Sequence, residues 1–272
     1  MGSRMRTPLL VLLLVAAPSW AAEDARSDQS IRLGRISYKL YGDPDFELDA
    51  RASSGLPVRL TATGDCSMSG GTGETVHILG AGKCLVTARQ PGDERYRPAP
   101  DVELRIPIGK AGQSIDFPEP PPLTYLDPDL DLDARASSSL PVTYFVYGDC
   151  AVDGPWLHLL AAGECTVTAH QTGDDNFTAA RIVERRIPIL RAEQTISFAA
   201  CPSCGRNTLP IVAVASSGLP VHLAAYGACA AGTRFIHILA TGACTVLARQ
   251  PGSANFNAAP PLEQTFQVVK VE

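Results

Sequence analysis

The chain states one plan three times. Ala52-Ser53-Ser54-Gly55-Leu56-Pro57-Val58 recurs as Ala136-Ser137-Ser138-Ser139-Leu140-Pro141-Val142 and as Ala215-Ser216-Ser217-Gly218-Leu219-Pro220-Val221, at spacings of 84 and then 79 residues. Each copy continues into a first cysteine, in Gly64-Asp65-Cys66, Gly148-Asp149-Cys150 and Gly227-Ala228-Cys229. A second follows in Gly82-Lys83-Cys84, Gly163-Glu164-Cys165 and Gly242-Ala243-Cys244. Each closes from Gln90, Gln171 or Gln250 toward an aromatic at Tyr96, Phe177 or Phe256. Internal repetition decides architecture before any single motif does. The repeat predicts three domains, at residues 28–109, 110–191 and 192–272, with short linkers near Gly109-Lys110-Ala111-Gly112 and Leu190-Arg191-Ala192-Glu193.

Within a copy the side chains alternate with a period of two. In Cys165-Thr166-Val167-Thr168-Ala169-His170 the Cys, Val and Ala share one face, and the Thr residues and the His share the other. No segment sustains a helical period, and short runs bounded by Gly, Pro, Asp and Ser recur every 8 to 12 residues or so, the pattern of an antiparallel β-sandwich. The expected fold is therefore all-β, three tandem sandwiches in an end-to-end rod. With 45% hydrophobic and 19% charged residues, the composition excludes a disordered tail. A net charge of −5 argues against nucleic acid as a partner.

The N-terminus predicts export. Arg4 and Arg6 precede the apolar run Leu9–Ala17, and Ser19-Trp20-Ala21 offers small residues for cleavage after Ala21, so residues 1–21 are read as a signal peptide. The run is too short to span a bilayer, which takes about 20 residues, and no transmembrane segment is expected after cleavage. The expected localisation is secreted, cell surface or periplasmic. In an oxidising compartment the eight cysteines are disulfide partners. The repeat selects Cys66–Cys84, Cys150–Cys165 and Cys229–Cys244, and leaves Cys201 and Cys204 to pair locally. A copy of about 80 residues has a small core, and a bridge closing a loop of about 15 residues stabilises it by roughly 3 kcal/mol.

Several motifs invite chemistry and carry little of it. Cys201-Pro202-Ser203-Cys204 has redox-dithiol spacing, but no helix N-terminus is predicted to lower a thiol pKa there. Cys201, Cys204, Cys229 and Cys244 are zinc-type ligands, but the last two have bridged counterparts in the other copies. The alternations Asp43, Asp45, Glu47, Asp49 and Asp127, Asp129, Asp131, Asp133 suggest calcium, but spacing by two on a strand spreads carboxylates about 6.5 to 7 Å apart on a solvated face. His77, His158 and His237 recur at one place in every copy, flanked by inward-facing apolar residues, and are read as surface histidines. Ser67-Met68-Ser69-Gly70-Gly71 is read as a loop insertion, with no Gly-x-Ser-x-Gly elbow. Trp156, Tyr144 and Tyr147 are candidates for stacking on a sugar ring.

Tyr41-Gly42-Asp43-Pro44-Asp45-Phe46, the three Ser-Ser-Gly/Ser-Leu-Pro-Val steps, Ile78-Leu79-Gly80-Ala81-Gly82 and Gln250-Pro251-Gly252-Ser253-Ala254-Asn255-Phe256-Asn257-Ala258-Ala259-Pro260 together resemble the MBG-type bacterial immunoglobulin-like repeat. The resemblance covers most of the chain after residue 21. It implies a spacer or binding module of exported, surface-associated proteins, with no catalytic residue, cofactor or metal to carry over. Copy three departs from it, with Cys201-Pro202-Ser203-Cys204-Gly205-Arg206 replacing the Tyr-Gly-Asp-Pro-Asp segment. The expected function is thus a non-enzymatic interaction or spacer module, a monomeric rod meeting a protein or glycan at the cell surface. The rival readings are a redox protein using Cys201 and Cys204, or a carbohydrate-binding module.

Overall fold

The computed structural model describes residues 25–200, 208–232 and 235–269. The signal-peptide reading of residues 1–21 and the Cys201–Cys204 pair lie outside them. The chain divides into two compact units between Gly109 and Lys110. The described residues contain strands and turns and no α-helix.

The first unit holds one copy, built from strands β1 (Ile31–Leu33), β2 (Lys39–Leu40), β3 (Phe46–Glu47), β4 (Ala50–Ala52), β5 (Arg59–Gly64), β6 (Cys66–Ser69), β7 (Thr75–Ile78), β8 (Gly82–Arg89) and β9 (Val102–Gly109). One sheet has the order β2-β9-β8-β5. The other face is β3-β7-β6 together with the pair β1-β4. All pairings are antiparallel except β2 with β9, which run parallel. The alternation read from the sequence places the core between the sheets: Cys84, Val86 and Ala88 from β8 pack with Val76 and Ile106, each 1% exposed or less.

The second unit holds the second and third copies of the sequence repeat. In the second copy one sheet has the order Leu123–Thr124, Val183–Leu190, Gly163–His170, Thr143–Gly148, and its first pairing is again parallel. Leu130–Asp131, Trp156–Leu159 and Cys150–Asp153 face it. The third copy differs at its edge. Thr208–Ala215 runs unbroken and pairs with both Ile196–Ala200 and Phe235–Ile238, where the first two copies use two short strands. Its sequence Leu209-Pro210-Ile211-Val212-Ala213-Val214 is apolar, with β-branched Ile211, Val212 and Val214, and lacks the acidic alternation of the other copies, which suits a continuous strand. Among the described residues no short strand pairs in parallel with Leu262–Val268.

A glutamine pair, buried in the first and third copies and with Gln113 half-buried in the second, closes each copy and accounts for the repeated Ser-Ser-x-Leu-Pro step. Gln29, Gln113 and Gln194 donate through Nε2 to Gln90, Gln171 and Gln250 Oε1 at 3.0, 2.6 and 2.7 Å. The second Ser of each motif (Ser54, Ser138 or Ser217) donates to the first glutamine at 2.5 Å. In the first two copies the second glutamine also donates to the motif's Pro57 or Pro141 carbonyl. Buried amides of this kind persist only where they are paired.

Candidate functional site

Gly64, Gly148 and Gly227 stand at a corner where the chain leaves one sheet and enters the other. Their φ values are +93°, +99° and +84°, and a Cβ at each would collide with the carbonyl oxygen of Lys83, Glu164 or Ala243. The corner delivers Cys66, Cys150 and Cys229 to the first position of the next strand. There they join Cys84, Cys165 and Cys244 across the sheets, with Cα–Cα distances of 5.4, 5.7 and 5.4 Å, within the ordinary disulfide range. All six are buried, which suits structural bridges rather than reactive thiols. Because Cys229 and Cys244 bond each other, they are not free thiolates for a zinc site with Cys201 and Cys204.

The acidic residues and the histidines, read separately from the sequence, meet in space. The register Phe46↔Val76 puts Asp45 opposite His77, and Leu130↔Leu157 puts Asp129 opposite His158. His77 Nδ1 lies 2.7 Å from Asp45 Oδ2, and His158 Nδ1 lies 2.8 Å from Asp129 Oδ1. In the third copy Thr208 stands opposite His237. The histidines do lie on the solvent side of their strands, but two of the three are engaged there. Nor do the acidic residues form one uniform face. Asp43 and Asp127 instead accept the Leu40 and Thr124 amides within turns, while Asp49 and Asp133 pair with Arg51 and Arg135. Among the described residues no group of three or more His, Cys, Asp or Glu is arranged to hold a metal ion.

The three rings proposed for sugar stacking do not assemble. Tyr144 turns inward: its hydroxyl donates to the Leu132 carbonyl and accepts from the Ala134 amide at 3.0 Å, and its ring lies 6.0 Å from Phe117. Burial pushes its phenol pKa up. Tyr147, three residues on, is on the opposite face of that strand and 66% exposed, while Trp156 belongs to the other sheet. Period-two reasoning already separates positions 144 and 147, since only residues an even number apart share a face. The structure shows a different pair on the outer face, Phe145 with Tyr147, and Phe145 meets His170 edge-on at 4.9 Å. Tyr226, the third copy's counterpart of Tyr147, is exposed as well.

Within the second unit, side chains tie the second copy to the third. Asn255 Oδ1 accepts the Ala162 amide at 3.0 Å, and the Phe256 ring meets Tyr125 edge-on at 5.6 Å. The Asn255 backbone carbonyl meanwhile accepts the Ala192 amide of the connection at 2.9 Å. The aromatic that closes the third copy is thus a docking element, which its sequence position alone did not reveal.

A sheet of four strands with a parallel edge, facing a second sheet and repeated along the chain, defines an immunoglobulin-like β-sandwich repeat protein. No family model and no curated protein matches the chain. Among solved structures, it is similar to Drosophila N-cadherin EC1-3 at 13% identity and TM-score 0.33, covering 87% of this chain and 99% of that one. It is similar to Sidekick-1 immunoglobulin domains 1-5 at 12% and 0.31, over 87% and 57% of the two chains. A third likeness is the S-layer protein rSbsC(31-844), at 9% and 0.25, over 90% and 41%. The strand pairing, rather than these distant likenesses, defines the fold.

Proposed function

We propose that the chain is an exported interaction or spacer module of MBG type, with three immunoglobulin-like domains at residues 28–109, 110–191 and 192–272 in an end-to-end row. It works by positioning and needs no bond chemistry to do so. Export is supported by the buried bridges, which form and persist outside reducing compartments. The observation that carries the reading is the joint of Asn255 and Phe256 against Ala162 and Tyr125, because a device that fixes one repeat on the next serves a protein that holds surfaces at set distances. The exposed Phe145 and Tyr147 offer rings to a protein or glycan at the cell surface.

Small-angle scattering of the chain without residues 1–21 tests this. An elongated particle is expected. A radius of gyration near 20 Å, roughly that of one compact body of this length, would overturn the spacer reading.

A further inference from the structure

In the first copy the histidine–aspartate pair extends to a third residue. Ser69 Oγ lies 2.6 Å from His77 Nε2, and His77 Nδ1 lies 2.7 Å from Asp45 Oδ2. This is the order of contacts that activates a serine: nucleophile, base, and a carboxylate that orients the base. Three adjacent strand segments supply it, with His77 on β7, Ser69 at the end of β6, and Asp45 just before β3. The other copies break the chain of contacts. Asp153 stands where the second copy would need the serine, and Gly232 and Thr208 replace the serine and aspartate in the third.

We propose that Ser69 is an activated nucleophile that accepts acyl groups from small activated esters, with His77 as general base and Asp45 as the residue that positions it. Asp45 holds the Nδ1 proton, leaving Nε2 free to accept from Ser69. Ser69 Oγ attacks the ester carbonyl carbon and its proton passes to His77 Nε2. The carbon–oxygen bond to the leaving group breaks, the proton goes to the departing alcohol or phenol, and the acyl group stays on Oγ. Water then attacks the acyl-serine, giving its proton to His77, which returns it to Ser69 as the carboxylic acid leaves.

The surroundings set the substrate class. Ser69 is exposed and Gly71 has open space around it, so an ester can approach. The Glu74 carboxylate lies against Gly70, the residue after Ser69, and its Oε2 takes the Thr72 amide at 3.0 Å and the Thr72 hydroxyl at 2.9 Å. A negative charge in the segment next to the serine disfavours a developing oxyanion, and solvent screens what stabilisation there is. The site therefore suits aryl esters, whose leaving group departs readily, and acylation should outrun turnover.

The full chain, treated with a fluorophosphonate probe and separately with p-nitrophenyl acetate, is digested and its adducts located by mass spectrometry. Labelling is expected at Ser69 roughly 100-fold faster than at the exposed Ser139, the low end of what a positioned base supplies. His77→Gln should remove that advantage. Asp45→Asn should reduce it at least about tenfold, because the amide favours the tautomer that protonates Nε2, while Asp45→Glu restores it. A non-reducing disulfide map confirms that each variant retains Cys66–Cys84. Equal labelling of Ser69 and Ser139 in the unaltered chain overturns the proposal without reliance on any variant. So does unchanged labelling in folded His77→Gln.

Discussion

Gln29 donates through Nε2 to Gln90 Oε1 at 3.0 Å, across 61 residues of sequence, and both side chains are buried. The same Nε2 also reaches the Arg97 carbonyl at 2.7 Å. The cluster therefore joins the entry of the first copy to its closing segment.

Gln29→Ala should destabilise the first copy by about 1–3 kcal/mol, because it takes the Nε2 donor from Gln90 Oε1 and the Oε1 acceptor from the Ser54 hydroxyl without replacing either. Ser54→Ala, which removes one donor, should cost about 1 kcal/mol. Urea unfolding of the two variants checks both the size and the order.

Replacing Cys150 and Cys165 together by Ala should lower the stability of the second copy by about 3 kcal/mol, the value for a closed loop of roughly this length. Differential scanning calorimetry should show the loss. An unchanged transition would mean that the bridge does not restrain the unfolded chain.

Gly148→Ala should destabilise by more than about 1 kcal/mol, because φ there is +99° and the added Cβ meets the Glu164 carbonyl oxygen. Gly154→Ala is the control: its φ is also positive, at +58°, but nothing lies within 4 Å of the new Cβ, so only the backbone term should remain. Chemical denaturation of the pair separates collision from conformation.

Tyr144 adds a component to the alkaline pH dependence of its copy's stability. Its pKa is raised in the folded state, first by burial, with the Ala134 amide opposing and Asp131 and Asp133 adding to the rise. The unfolded chain therefore ionises first. Stability should be level below the ordinary tyrosine value of 10.0 and fall as pH climbs from there through the raised folded value. Tyr144→Phe should remove that component of the decline, measured as urea midpoints between pH 8 and 11.

Asn255→Ala should expose the Ala162 amide, which now donates to Asn255 Oδ1 at 3.0 Å. Hydrogen exchange at Ala162 should quicken while the core amides of Val167 and Val246 keep their protection. Unchanged exchange at Ala162 would remove the docking role assigned to Asn255.

Much of the fold was legible because it follows from local pattern. Alternation gave the inward faces of Cys84, Cys165 and Cys244, and repetition selected the cysteine pairs that the structure joins. What escaped depends on register between distant strands. The Asp45–His77 contact needs Phe46 to stand opposite Val76, which neither segment states by itself. The buried partner of Gln90 was missed although Gln29-Ser30-Ile31, Gln113-Ser114-Ile115 and Gln194-Thr195-Ile196 repeat as regularly as the cysteines. Glutamine carries no hydrophobic signal, so an apolar-pattern search passes over it. The sugar-stacking trio failed for the opposite reason, since it grouped Tyr144 with Tyr147 against the alternation used everywhere else.

The parallel edge pairing has a mechanical consequence. In the first two copies a strand near the entry, Lys39–Leu40 or Leu123–Thr124, lies parallel to the last strand of the same copy. Tension applied through the two ends of such a copy slides these strands past each other, so their slanted hydrogen bonds share the load and must fail together rather than unzip in turn. Each of these two copies, pulled from its ends, should therefore give way in one abrupt step rather than by gradual peeling.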